Sequence, residues 1–254
     1  GVKGGCGVSL LATNLGAALA SNDASLLIDL NPLLGSDDLL LDISVQKSWL
    51  DLLPVAGELT QHHLDLAAAC HASGLRLLGA PPGCGDTVKR ADLVKLLKGL
   101  KKRFAWILLD IPAMRVDYAQ AAFPIADILL LVSTLDPQAL RSAKRLVQTL
   151  PSELRQKTGI IFNQVMRGHP AQPKATAASL GLPLLGVLPF DQHATGRQVN
   201  FGQLCVDDPR SPYGKAVAHL ASRLTGGAAQ RQMGSSTDMP RHPVGGQEMK
   251  EKRS

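Results

Sequence analysis

The most constraining feature of the sequence is a glycine-rich segment at its beginning. Residues 1–10 read GVKGGCGVSL, and a helical pattern follows from Ser9 to Ala20. The three glycines at positions 4, 5 and 7 allow backbone N–H groups to converge on an anion without obstruction from Cβ atoms. A helix that starts after such a loop adds the positive end of its dipole, and Ser9 lies where a hydroxyl can hold Mg²⁺. The segment predicts a phosphate-binding loop, although three glycines in four residues are also typical of a tight turn.

Short apolar runs alternate with helical patterns along most of the chain. Most of the runs lack the polar–apolar alternation of half-exposed strands, as expected when helices cover both faces of a sheet. Strands alternating with helices of 10–15 residues indicate an α/β fold with a doubly wound, mostly parallel sheet. The predicted strands are 25–30, 75–79, 105–111, 125–132, 159–163 and 184–188. The predicted helices are 9–20, 87–102, 117–123, 137–150, 173–180 and 211–224.

Both ends of the chain lead to predictions about domain boundaries. Only Gly1 and Val2 precede the loop, whereas a loop of this kind follows a buried strand, so we expect the first strand to be truncated. Residues 226–254 are rich in Gly, Gln, Ser and Pro and lack periodicity. We therefore expect one folded domain over 1–225 and a disordered tail over 226–254. The tail lacks the large apolar residues of an amphipathic membrane helix, so we expect no membrane anchor.

Composition and charge favour a reduced, cytoplasmic protein that does not bind nucleic acid. The net charge is +6, and the densest basic cluster recurs at helical spacing, which is typical of a solvated helix face. That cluster consists of Lys95, Lys98, Lys101, Lys102 and Arg103. The four cysteines form no CxxC pair. A metal site at His62, His63, Cys70, His71 and Cys84 is an alternative, but their spacing fits no standard zinc pattern.

The loop and several later segments resemble one family. Lys3-Gly4-Gly5-x-Gly7-x-Ser9 resembles the deviant Walker A motif of ParA/MinD-type P-loop ATPases. Four further segments resemble, in chain order, the family's D-x-D-P strand end, its Walker B strand, its adenine-reading Asn and its base-closing loop. They are 25–32 (SLLIDLNP), 108–112 (LLDIP), 162–164 (FNQ) and 188–191 (LPFD). The resemblance covers the chain from Lys3 to about residue 225.

The resemblance implies a nucleotide-dependent homodimer that binds ATP or ADP with Mg²⁺. In such a dimer, Lys3 reaches across to the partner's phosphates. The implied nucleotide-binding residues are Lys3, Gly4, Gly5, Cys6, Gly7, Val8, Ser9, Leu10, Asn163, Pro189 and Asp191. The implied Mg²⁺ ligands are Ser9, Asp29 and Asp110, and Asn31 and Asp110 are the candidates for a catalytic role.

The sequence departs from the family pattern at two positions that serve hydrolysis. The Walker lysine is replaced by Val8, which offers no charge to the β- and γ-phosphates. The second Asp of D-x-D is replaced by Asn31, which cannot carry negative charge or accept a proton. Losing one positioned cation costs on the order of 10²-fold in rate or more. We therefore expect nucleotide binding with little or no hydrolysis.

Within the family, the chain resembles the CpaE/TadZ branch of Tad-type pilus assembly proteins. The segments 48–53 (SWLDLL) and 73–81 (SGLRLLGAP) carry this resemblance, and a receiver-like domain precedes the ATPase-like one in that branch. It implies a localisation factor that partners recruit to a cell pole or inner-membrane complex of pilus or secretion machinery. Two alternatives are an active ATPase in DNA partition, flagellar number control or division-site placement, and a scaffold that binds no nucleotide.

Overall fold

The strands form two sheets, and all their pairings except one at an edge are parallel. The computed structural model describes residues 1–31, 35–80, 88–112 and 116–234. The strands are β1 (Ser25–Asp29), β2 (Ala69–Cys70), β3 (Arg76–Leu78), β4 (Trp106–Asp110), β5 (Leu129–Ser133), β6 (Thr158–Val165) and β7 (Leu184–Pro189). The first sheet has the order β2-β3-β1-β4, and the second has the order β5-β6-β7. The predicted doubly wound α/β class is confirmed.

Helices follow most of the strands, as a parallel sheet requires. They are α1 (Val8–Ala20), α2 (Asp37–Leu40), α3 (Gln61–Ala67), α4 (Arg90–Leu100), α5 (Val116–Ala122), α6 (Pro137–Thr149), α7 (Ser152–Gln156), α8 (Pro173–Ser179), α9 (Gln192–Phe201) and α10 (Pro212–Gly234). Short 3₁₀ turns cover Trp49–Leu52, Phe123–Ile125 and Cys205–Asp207. Among the described residues, no helix combines the length and the apolar character needed to cross a bilayer.

Alternate residues of β1 pack against helices on opposite faces of the first sheet. Leu26 and Ile28 belong to an apolar cluster that contains the buried leucines of α4, whereas Leu27 packs in a second cluster with Ala12 and Ala17 of α1. All five residues of β1 are buried. This explains why the run reads as uniformly apolar rather than alternating. Helix α1 therefore covers one face of this sheet, and its first turn lies at the carboxyl end of β1, because Ser9 bonds Asp110, which is paired with Asp29.

The beginning of the chain lies between the two sheets. The backbone N–H of Val2 donates to the carbonyl of Val132 in β5 at 3.1 Å. The hydroxyl of Ser9, just after the loop, donates to Asp110 at the end of β4. The glycine-rich loop therefore starts at the carboxyl edge of both sheets, where ligands bind in open α/β folds.

Several elements differ from the predictions for local reasons. The strand predicted from residue 125 begins only at Leu129, because Pro124 forms a 3₁₀ turn with its neighbours. The edge strand β2, which pairs with β3 in antiparallel fashion, was not predicted, nor were the short helices α2, α3, α7 and α9. Helix α10 continues to Gly234, beyond the predicted boundary at 225, because residues 228–233 are Ala, Gln, Arg and Met, which are good helix formers. Residues 235–254 of the predicted tail lie outside the described part of the chain.

Candidate functional site

The glycine-rich loop adopts a backbone that only glycine tolerates at two of its positions. Gly5 and Gly7 both have a φ of 77°, in the left-handed region that other residues rarely adopt. Gly7 is the N-cap of α1 and provides no side chain to cap it. The first N–H groups of that helix are therefore left to a ligand or to solvent. Gly4 and Gly5 are exposed, and a Cβ on either would meet nothing within 4 Å.

Two amide side chains at the end of β6 hold the carbonyl groups of the loop. Asn163 Nδ2 donates to the carbonyl of Cys6 at 2.8 Å, and Gln164 Nε2 donates to the carbonyl of Gly5 at 3.1 Å. Asn163 is 1 % exposed, and its Oδ1 accepts from the N–H of Gln164. Gln164 itself has a φ of 56°, which is uncommon for a residue with a side chain. Asn163 therefore has a structural role at the loop, whatever its role toward an adenine.

The predicted Mg²⁺ ligands meet beside the first turn of α1. Asp29 and Asp110 end the adjacent strands β1 and β4 and lie opposite one another in register. The hydroxyl of Ser9 donates to Asp110 Oδ2 at 2.5 Å. Burial raises the pKa of Asp29 to about 6, and the negative charge of Asp110 adds to this effect. Burial also raises the pKa of Asp110, although the hydrogen bond from Ser9 opposes the shift.

A third carboxyl group, which the sequence analysis did not predict, belongs to the same cluster. Asp37, the first residue of α2, is fully buried, and one carboxylate oxygen from each of Asp29, Asp37 and Asp110 lies within 4.8 Å of the others. Burial and the neighbouring Asp110 raise the pKa of Asp37 well above its usual value. In the sequence, Asp37 is indistinguishable from its half-exposed neighbour Asp38. Only the fold shows which of the two faces the site.

Val8 and Asn31, the two positions where the sequence departs from the motifs that it resembles, lie just after the loop and just after β1. Val8 begins α1 and is half-buried. Because its side chain is a hydrocarbon, it brings no charge to the loop. Asn31 follows β1 by two residues, is half-buried, and donates its backbone N–H to Asp29 Oδ1 at 2.9 Å. Both positions therefore bring an uncharged side chain to this end of the site.

Lys3 makes an ion pair within its own chain. Its Nζ lies 2.8 Å from Asp136 Oδ2, and both side chains are about one third exposed. Asp136 is also the N-cap of α6, where its Oδ1 accepts from the N–H of Ala139 at 2.9 Å. The hydrogen bond from Lys3 holds the pKa of Asp136 well below its usual range. The sequence analysis did not predict this partner, which follows β5 in a loop.

The predicted residues of the late loop have structural contacts of their own. Pro189 ends β7 and lies in register with Val165 at the end of β6. Asp191 is the N-cap of α9, accepting from the N–H of Ala194 at 3.0 Å and from the hydroxyl of Ser211 at 2.6 Å. These two hydrogen bonds are a sufficient structural reason for an Asp at position 191, whatever its role toward a nucleotide.

The alternative metal site gains no support from the described residues. Within them, the three-aspartate cluster is the group of His, Cys, Asp and Glu side chains placed to share a metal ion. His63 instead accepts from the N–H of Thr60 as part of a helix cap. Cys84 lies outside the described residues.

Comparison with known proteins identifies the family. A family model described as cellulose biosynthesis protein BcsQ matches residues 1–172. The chain belongs to the BcsQ family. It is similar to the septum site-determining protein MinD of Synechocystis, with 28 % identity over 88 % of this chain and 86 % of the relative. The ParA/MinD type inferred from the loop is thus confirmed.

Solved structures share the fold of this BcsQ-family chain. A ParA family ATPase from Chlorobium tepidum superposes with a TM-score of 0.77 and 21 % identity, over 88 % of this chain and 95 % of that one. MinD from Pyrococcus horikoshii, described as complexed with Mg-ADP, gives a TM-score of 0.72 and 23 % identity over 90 % and 95 % of the two chains. At these identities the likeness shows the fold alone.

The loop geometry predicts that alanine destabilises the protein at one glycine of the loop and not at another. A Cβ on Gly7 would lie 2.5 Å from Asn163 Nδ2, and the residue would keep a positive φ. We expect Gly7→Ala to lower the free energy of unfolding by about 1–3 kcal/mol. Gly4→Ala, which meets no neighbour, should change it by less than about 0.5 kcal/mol. Urea denaturation measures both, and equal stability of the two variants would show that the loop is not held as described.

Proposed function

We propose that the chain is a nucleotide-responsive localisation factor that binds ATP or ADP with Mg²⁺ and hydrolyses ATP slowly or not at all. It acts as a homodimer and recruits proteins of Tad-type pilus or secretion machinery. The observation that carries the proposal is the combination at one site of an intact glycine-rich loop with uncharged residues at positions 8 and 31.

Nucleotide binding is supported by the groups that remain at the loop. The backbone of Gly4–Gly7 and the start of α1 offer N–H groups to phosphates, and Ser9 with Asp29 and Asp110 offers oxygen ligands to Mg²⁺. The donor set fits that ion, because hydroxyl and carboxylate oxygens are the ligands that Mg²⁺ prefers. The Pyrococcus relative described with Mg-ADP shares this fold.

Slow hydrolysis is supported by what the site lacks. Positive charge at the transferred phosphoryl group stabilises the transition state more than the ground state, and Val8 provides none. Asn31 can donate and accept hydrogen bonds but cannot supply the negative charge of the Asp that it replaces. Binding depends less on these positions, since the backbone donors of the loop are unchanged.

The segment 48–53, which resembles the pilus branch, contacts the backbone at the end of β1. The indole Nε1 of Trp49 donates to the carbonyl of Asp29 at 3.0 Å, and the ring is fully buried against Tyr118. Ser48 begins the same turn with a capping box formed with Asp51. The segment 48–53 therefore positions the end of β1, which gives it a physical role at the nucleotide site.

A second candidate is a role in cellulose synthesis rather than pilus assembly. The match of the BcsQ family model to residues 1–172 favours it. Both candidates use the same nucleotide site, so they differ only in the partners recruited. Co-purification with proteins of one machine, in cells that carry both, would distinguish them.

Restoring charge at the two substituted positions should restore turnover. We expect the parent protein to release phosphate from ATP and Mg²⁺ at a rate near background. The double variant Val8→Lys with Asn31→Asp should raise that rate by about tenfold or more, measured by a phosphate-release assay.

The matched control is Val8→Met with Asn31→Gln, which lengthens both side chains without adding charge. It should leave the rate near background. A parent turnover rate like that of an ordinary MinD assayed alongside would contradict slow hydrolysis and favour an active ATPase of the same family.

Lys3 should contribute to an ATP-dependent dimer more than to stability. It must leave Asp136 to reach a partner's phosphates, and the exposed ion pair contributes at most about 1 kcal/mol. We expect Lys3→Gln to weaken ATP-dependent dimerisation by about tenfold or more, as measured by sedimentation velocity, with little change in the melting temperature.

Lys98→Gln, an exposed lysine of α4, is the control and should dimerise like the parent. If Lys3→Gln dimerises as well as the parent, or if ATP changes the association of neither, a dimer through the phosphate loops is wrong.

A further inference from the structure

Asp37 is a buried carboxyl group without a hydrogen-bonding partner for its side chain. It is 0 % exposed, and within the described part of the chain neither carboxylate oxygen accepts a hydrogen bond. Buried polar groups are nearly always hydrogen-bonded, and an isolated buried charge is strongly unfavourable. Burying a carboxyl group without a hydrogen bond lowers the stability of the fold. Such a group is expected to bind a ligand that is not protein, or to serve another function.

The surroundings of Asp37 add negative charge rather than removing it. Besides burial, the influences on its pKa come from Asp110, Asp29 and Asp38, and all of them raise it. Asp29 accepts hydrogen bonds from the N–H groups of Asn31 and Asp37 itself, and Asp110 accepts from Ser9. These two carboxylates are therefore partly satisfied, and Asp37 is the member of the cluster that is not.

The spacing of the three carboxylates matches the size of a divalent cation. Their oxygens lie within 4.8 Å of one another, and two oxygens on opposite sides of Mg²⁺ or Ca²⁺ are separated by roughly 4–5 Å. An all-oxygen set suits hard cations such as Mg²⁺ and Mn²⁺. One such ion would give the carboxylate of Asp37 a partner through the oxygen that faces the cluster, and it would reduce the repulsion among the three carboxylates.

The geometry points to a three-carboxylate site, formed by Asp29, Asp37 and Asp110, that binds a divalent cation before any nucleotide is present. This inference rests on the proposed function in one respect, since the bound nucleotide would share the cation through Ser9. It adds a ligand, Asp37, and an order of binding. The cation also supplies positive charge next to the phosphate loop, where Val8 supplies none.

Titration of Mn²⁺ into the full chain, without nucleotide and after removal of bound metal with a chelator, tests the site directly. The signal of free Mn²⁺ in electron paramagnetic resonance should show about one ion bound per chain, and Mg²⁺ should displace it. Asp37→Asn should weaken binding by about tenfold or more, because the amide keeps the shape but not the charge. Asp37→Ser is a second variant with the same expected loss.

The neighbouring Asp38→Asn is the matched control, since Asp38 is half-exposed and outside the cluster. It should bind Mn²⁺ like the parent. A melting experiment gives an independent readout, because a ligand that binds only the folded state raises the melting temperature. Mn²⁺ should raise it for the parent and for Asp38→Asn. For Asp37→Asn, the metal-free protein should already melt higher than the parent, and Mn²⁺ should add little.

The inference is overturned if the parent binds no Mn²⁺ without nucleotide, or if Asp37→Asn binds it as tightly as the parent. A parallel titration with a fluorescent ADP analogue and Mg²⁺ separates the two proposals. Cation binding without nucleotide binding supports the three-carboxylate site and contradicts the proposed function. Nucleotide binding without prior cation binding supports the function and contradicts the site.

Discussion

The hydrogen bond from the amide of Asn163 to the carbonyl of Cys6 fixes the loop on which the whole site depends. It joins the loop to β6 in the second sheet, while the bond from Ser9 to Asp110 joins the start of α1 to β4 in the first sheet. The loop is thus held on both sides, with its carbonyl groups turned to protein partners. Glycine at position 7 is required because any side chain there would displace the Asn163 amide.

This arrangement places buried carboxyl groups beside a loop in which position 8 is uncharged. Three carboxyl groups lie together under the start of α1, Val8 is neutral, and Lys3 is paired with Asp136. In a site of low polarity, carboxylates repel one another strongly. A divalent cation offsets that repulsion, and phosphates bound at the helix N-terminus would then meet a neutralised surface. The proposals for slow hydrolysis and for cation binding before nucleotide both follow from this excess of buried carboxyl groups over positive charge at the loop.

Much of the fold could be predicted because its signals are local. Glycines at positions 4, 5 and 7 before a helical pattern indicated the phosphate loop, and uniformly apolar runs such as 25–30 indicated strands covered on both faces. Features that depend on tertiary packing could not be predicted from the sequence.

Asp37 and Asp38 are adjacent and identical in sequence, and only the position of α2 in the fold decides which one is buried. Lys3 and its partner Asp136 are 133 residues apart. Their ion pair could not be predicted, because it forms only when the fold brings the loop beside the end of β5. Asn163 was predicted as a base-reading residue from resemblance, and its bond to Cys6 became visible only in the structure.

The central proposal is that this loop binds nucleotide although position 8 is an uncharged valine. Titration of a fluorescent ATP analogue into the full chain in the presence of Mg²⁺ tests it most directly. We predict saturable binding of one analogue per chain, in the micromolar-to-millimolar range, and displacement by unlabelled ADP. Binding that does not saturate, or that unlabelled ATP and ADP fail to displace, would contradict the account and favour a scaffold that has lost nucleotide binding.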